Sequence, residues 1–208
     1  MDGIRKLRVQ PFEKQIRCLI LTNGRTENKV FSSEGIIKMS SIYYKPPREV
    51  YQDPKKFTCW AAALESWMSV TPESPASWFI KTQEDAIRNW QDFTGDKGGL
   101  NIQSGFKWMA AACGMEYQVF TDAKKITGDF FYRQLKNRRY LYFFFAGGET
   151  NLGNGLAHAS VIYEISNPWS KDCSISVMDP WIGQGIRPGQ PLEVYRLAKE
   201  AVVAWLEL

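Results

Sequence analysis

The sequence predicts an α+β domain, and three observations predict it. Helical periodicities cluster from residue 59 onward, strand-like runs dominate the last third of the chain, and no regular β-α-β alternation links the two. At 208 residues, with 44% hydrophobic and 23% charged residues, the chain can bury one substantial core. Residues 1–47 carry only short apolar pieces, RCLIL, GIIKM and SIYY, and end at Pro46-Pro47. A double proline continues neither a helix nor a central strand, so the boundary between an N-terminal extension, 1–47, and the main domain, 48–208, is expected there. The extension reads as a targeting, regulatory or removable segment.

The elements follow in order. Trp60, Ala63, Leu64, Trp67 and Met68 fall at helical spacing and predict a buried helix starting at Cys59 and stopping by Thr71-Pro72. Thr82 with Asp85 makes a capping box for a second helix running to about Phe93, after which the glycines of TGDKGGLN break the chain. Asn101 is the expected N-cap of a third helix carrying Ile102, Phe106 and Met109, with Gly114 as its stop. MEYQVF reads as a strand and GDFFYRQLKN as a fourth helix. YLYFFFA, AHASVIYEI and SISVMD, rich in aromatic and β-branched residues and bounded by Gly, Asn or Pro, read as strands. The final EVYRLAKEAVVAWLEL fits either a helix or a strand ending.

Composition excludes several classes of function. No run approaches eighteen apolar residues, so a membrane span is not expected, and CLIL is too short for the core of a secretory signal. The four cysteines, at 18, 59, 113 and 173, form no C-x-x-C pair, and there is a single histidine. A zinc site and a disulfide framework are therefore not expected, and Cys18, Cys113 and Cys173 read as buried thiols. The net charge of +4 comes from the first fifty residues, with ten Lys/Arg against five Asp/Glu. They form no dense cluster of the kind phosphate contacts need, so nucleic acid is not an expected partner.

Chemistry concentrates on Cys59. A nucleophilic cysteine needs an imidazolium neighbour, a helix N-terminus with unpaired N–H groups, or both. Cys59 has the second by pattern, and only His158 can supply the first. A lone histidine is more often structural than catalytic, but this one follows the glycine-rich GGETNLGNG and opens an apolar strand, where a side chain can face a cleft. Asp179, in VMDPW at the end of the next strand, is an available acceptor for its second ring nitrogen, although Asp before Pro is also a common turn opener.

These residues resemble the papain-like cysteine peptidases, in particular the compact bacterial effector (AvrRpt2-like) and C39-like branches, over residues 52 to 181. CWAAA resembles the Cys-Trp at the head of the family's central helix. KGGLNIQSGFKWM is similar to its Gly-Gly segment, LAHASVIYEI to its histidine strand, and DPW stands in the place of its Asn-Ser-Trp. The resemblance implies a papain-like fold, with the central helix headed by the catalytic cysteine and packed on an antiparallel sheet carrying the histidine and aspartate. It implies Cys59 as nucleophile, His158 as general base and then acid, and Asp179 as the group orienting the imidazole. Gln52 would donate to the oxyanion with the Cys59 N–H, Gly98 and Gly99 would pair with an extended substrate, and Trp181 would shield the His–Asp bond. Gln52 lies seven residues before Cys59 where the family usually has six, and the cysteines of the family's usual disulfides are absent.

The implied activity is hydrolysis of a protein or peptide by acyl transfer, without metal or organic cofactor. Amidase, deamidase and transglutaminase action share the same thiol chemistry, and a catalytically idle papain-like binding module is the reading from another class. By analogy with the family, the chain would be a bacterial effector or toxin made in the cytoplasm and exported by a specialised secretion system. A secretion apparatus, a chaperone or an immunity protein would then be its partners.

Overall fold

The computed structural model describes residues 15–22, 25–32, 40–101, 104–146, 149–150, 153–154 and 157–207. Strands β1 (Gln15–Thr22), β2 (Arg25–Ser32) and β3 (Ser40–Tyr43) come first, followed by helices α1 (Cys59–Met68), α2 (Gln83–Trp90) and α3 (Gly105–Ala112). Then come β4 (Met115–Phe120), α4 (Gly128–Arg138), β5 (Leu141–Ala146) and the short hairpin β6 (Glu149–Thr150) and β7 (Gly153–Asn154). The chain closes with β8 (His158–Ser166), β9 (Ser174–Asp179), β10 (Gly185–Pro191), α5 (Leu192–Arg196) and β11 (Glu200–Leu206). The main sheet runs β1-β2-β3-β8-β5-β11-β4, with β9 paired to β8 and β10 to β9, every pairing antiparallel.

The α+β class is as expected, and local chemistry accounts for each helix. The Thr82 and Asp85 capping box forms as predicted and starts α2. Thr127 caps α4 by accepting from the Phe130 N–H. Gly128 opens that helix because its backbone passes so close to the Pro168 carbonyl that a Cβ would lie 2.1 Å from the oxygen.

The core explains the unbroken apolar run of β5. A strand buried on one face alternates, whereas Leu141 to Phe145 are all buried because helices cover both faces. On one side the Tyr142 hydroxyl donates to the Trp60 carbonyl of α1 at 2.8 Å. On the other, Phe143 meets Phe131 of α4 and Tyr195 of α5, each with ring centroids 5.7 Å apart. Trp60, Leu64 and Trp67 of α1 are buried as their helical spacing required.

Four expectations are corrected or resolved. Strands do not all follow the helices, since β1 to β3 precede α1 and join the same sheet. The third helix begins at Gly105 rather than beside Asn101. Asn101 instead closes the preceding turn, its side-chain oxygen accepting from the Ser104 N–H and its carbonyl from Gly105 and Phe106. Ile102, expected on that helix, lies outside the described residues, as do residues 1–14. The open C-terminal stretch divides into α5 and β11.

The proline pair does not separate the preceding strand from the sheet. Ahead of it, β3 pairs with β8, Ile42 and Tyr44 are buried, and the Tyr44 hydroxyl donates to the Leu135 carbonyl at 3.0 Å. Two deletions should therefore behave differently. Removing 1–39 keeps these contacts, whereas removing 1–47 loses the burial of two large side chains, a loss of about 4 kcal/mol. Thermal unfolding and soluble yield of the two truncated proteins test this, and equal behaviour of the two would contradict it.

Candidate active site

The fold brings together side chains from three elements. Cys59 is the first residue of α1, His158 the first of β8 and Asp179 the last of β9. Cys59 is buried, and its Sγ lies 3.8 Å from the Ala157 carbonyl oxygen, immediately before His158. The thiol lies close enough to the imidazole to influence its charge. His158 Nε2 lies 2.8 Å from Asp179 Oδ1, which leaves Nδ1 as the ring nitrogen for the cysteine. His158 and Asp179 are 6% and 1% exposed, so this contact is shielded from water.

Electrostatics favour the charged form of the pair. Burial pulls the His158 pKa down, but the hydrogen bonds to Asp179 and Cys59 and the charges on both outweigh it, and it is pushed up to about 10. For Asp179 burial works upward, yet the bond and charge of His158, the Trp181 N–H and Arg187 together hold the carboxyl below its ordinary value.

The start of α1 is uncapped. Thr58, at the N-cap position, makes no capping bond, and its buried hydroxyl has no partner among the described residues. The first intrahelical acceptor, the Thr58 carbonyl, serves Ala61 and Ala62, and the Cys59 N–H has no acceptor among the described residues. A helix start left open beside a thiol can hold a developing negative charge.

The segment around Gly98-Gly99 is fastened to this helix start. The Phe57 N–H donates to the Lys97 carbonyl at 2.8 Å and the Trp60 indole N–H to the Gly98 carbonyl at 2.8 Å. The Gly99 carbonyl accepts from the Gly95 N–H and the Gly98 N–H donates to the Gly95 carbonyl, while the Gly99 N–H has no acceptor among the described residues. Gly99 also lines a cavity of about 100 Å³ with Phe57, Cys59, Trp60, Leu100, Phe144 and Ala157. This cavity is apolar and touches the thiol.

Trp181 is 43% exposed and sits edge-on to the imidazole, with ring centroids 6.4 Å apart, while its backbone N–H donates to Asp179 Oδ1 at 2.9 Å. Gln52 is buried and tied to the aspartate turn by its N–H on the Pro180 carbonyl. One of its amide N–H groups donates to the Lys56 carbonyl at 3.3 Å, and it lines a separate pocket with Thr58 and residues of α2. The structure thus brings Cys59, His158, Asp179, Gly99 and Trp181 to one place, with Gln52 beside them but not on the cavity at the thiol.

Sequence reading missed Arg187. In the β9–β10 hairpin Asp179 lies opposite Gly185, so Arg187, two residues on, is a diagonal neighbour on the same face. Its Nη1 is 3.2 Å from Asp179 Oδ2. The signal was present only as a hairpin register, which the sequence did not reveal.

Among the described residues no group of three or more His, Cys, Asp or Glu could hold a metal ion, and no helix is long and apolar enough to cross a membrane. No protein-family model and no curated protein matches the chain. Among solved structures, the peptidase domain of Streptococcus ComA, a bifunctional ABC transporter involved in a quorum-sensing pathway, aligns over 78% of this chain and 100% of its own length. That alignment has 14% identity and a TM-score of 0.47.

Proposed function

We propose that this protein is a papain-like cysteine peptidase acting through Cys59, His158 and Asp179. The observation that carries the reading is the meeting of the only histidine in the chain with a buried aspartate and with a cysteine at an uncapped helix start. The Cys59 sulfur attacks the carbonyl carbon of a peptide bond, and the Cys59 N–H at the open start of α1 holds the oxyanion. The C–N bond then breaks as His158 passes its proton to the leaving amine. Water, deprotonated by His158, hydrolyses the thioester and returns the thiol. Asp179 keeps Nε2 occupied, so that Nδ1 faces the sulfur throughout.

The Gly99 N–H, without an acceptor among the described residues, suits an extended peptide backbone, and the cavity walled by Leu100, Phe144 and Ala157 suits a small aliphatic side chain next to the scissile bond. Export as a bacterial effector or toxin is the setting that the family resemblance supports.

A mixed peptide library incubated with the protein and read by mass spectrometry tests the reaction. The expected result is new peptide termini with small aliphatic residues enriched near the cut, absent with Cys59→Ala, and broadened toward larger residues with Leu100→Ala. Carboxamide side chains converted to carboxylates without backbone cleavage would overturn peptidase action in favour of deamidation. Intact, unmodified peptides would count against both.

A further inference from the structure

A carboxylate that is 1% exposed must have its oxygens satisfied by donors, and those on Asp179 are divided unequally between its two oxygens. Oδ1 receives His158 Nε2 at 2.8 Å and the Trp181 N–H at 2.9 Å. Oδ2 receives Arg187 Nη1 at 3.2 Å. The guanidinium is itself fixed from behind, since its Nη2 donates to Gln190 Oε1 at 2.8 Å. The β-bulge between Arg187 and Gln190 brings these two residues of β10 into reach of each other. A planar fork with one arm on the carboxylate and one on a carboxamide cannot swing freely, and the Arg187 side chain is only 24% exposed.

We propose that Arg187 is a positioning residue of the site: by holding Asp179 Oδ2 it keeps Oδ1 aimed at His158 Nε2, and so keeps Nδ1 turned toward Cys59. The inference rests on the acyl-transfer reading given above. A carboxylate held by one oxygen alone could rotate about its Cβ–Cγ bond, and the imidazole would follow it. With Gln190, Arg187, Asp179, His158 and Cys59 connected in series, the orientation of the thiol's partner is set from β10, an element that does not line the cavity at the thiol.

The charged and titratable groups around this chain of contacts are few. Asp179 is faced by His158 from β8 and Arg187 from β10, while the Cys59 thiol of α1 lies beyond the imidazole. The Tyr195 phenol of α5 lies close enough to feel both Asp179 and Arg187, and burial raises its pKa, which keeps it neutral in the ordinary range. Removing the guanidinium therefore leaves His158 as the only cation facing the carboxylate among the described residues.

The 208-residue chain offers a direct readout, because its single histidine makes the imidazole resonances unambiguous in the NMR spectrum. With Arg187→Met, the low-pH inflection of the Nε2–H resonance, which reports protonation of Asp179, should move up by about one pH unit. Alkylation of Cys59 by iodoacetamide at neutral pH should slow by about 10- to 100-fold. Arg187→Lys, which restores the charge, should bring back the inflection and part of the rate. A folded Arg187→Met protein with inflection and alkylation rate both unchanged would reduce Arg187 to a structural ion pair and overturn the proposal. Should that variant not fold, Gln190→Ala releases the second arm without altering any charge; partial slowing of alkylation supports the proposal and an unchanged rate overturns it. If alkylation is indifferent to His158→Ala as well, it is the acyl-transfer reading that fails. Dependence on His158 without dependence on Arg187 sinks this inference alone.

Discussion

In His158→Ala, peptide hydrolysis is expected to fall by about 10⁴-fold or more, and alkylation of Cys59 at mildly acidic pH is expected to be largely lost. The effect is large because nothing can stand in. The chain has no second histidine, and the two aromatic rings beside the imidazole, Phe145 and Trp181, act as neither acid nor base near neutral pH. What remains is the open start of α1, which supports an anion but neither accepts nor delivers a proton. Peptide-level mass spectrometry of iodoacetamide-treated wild type and variant reads the result. In the wild type, Cys113 and Cys173 serve as internal controls, since burial pushes their thiols up to about 12 and about 11. Equal reactivity of Cys59 in both proteins would end the peptidase reading, whatever the substrate.

The second large effect concerns stability. Asp179→Ala should destabilise the protein by about 3 kcal/mol near neutral pH, because it strands the buried His158 and the Arg187 arm without an acceptor. Asp179→Asn should cost less, since a carboxamide oxygen still accepts from Nε2–H. The pH dependence follows from the two shifts. The His158 pKa is raised on folding, so its share of the stabilisation is complete below the ordinary imidazole value and is lost as pH rises through about 10. The Asp179 pKa is lowered, so its share is present above the ordinary carboxylate value and is lost as pH falls through the depressed one. The gap between wild type and Asp179→Ala should thus be widest between those two ordinary values and close toward alkaline pH. Urea unfolding at about pH 5.5 and about pH 10.5 measures it, and a gap that widens in alkali would refute the ion pair.

The helices were the most legible part of the fold. The stripe from Trp60 to Met68, the Thr82 and Asp85 capping box and the helix from Gly128 are local patterns, and each helix started where expected, although α2 ends at Trp90 rather than near Phe93. Strands β5, β8 and β9 were legible for the same reason, as dense apolar runs between turn residues. β1 to β3 were not, because their sequences alternate weakly and they owe their conformation to partners: β1 pairs with β2, β2 with β3, and β3 with a strand more than a hundred residues away. The final segment stayed ambiguous because a short amphipathic stretch satisfies either period until a neighbouring strand, here β5, claims half of it.

The site divides in the same way. Sequence alone determined which residue types were available: one histidine, a cysteine at a helix start, an aspartate at a strand end and a glycine pair. Scarcity did much of that work, since a chain with a single imidazole has a single general base of that kind. Only the tertiary structure decided which of these residues meet and what surrounds them. It placed Asp179 against His158, bonded the Gly98 carbonyl to Trp60 and the Gly99 carbonyl to Gly95, tied Gln52 to Lys56, and added Arg187. The physical reason is one of range. Helix periodicity and capping act within a few residues along the chain, whereas the hydrogen bonds that orient a carboxylate or a carboxamide depend on strand register and loop geometry, fixed only when the sheet closes around its core.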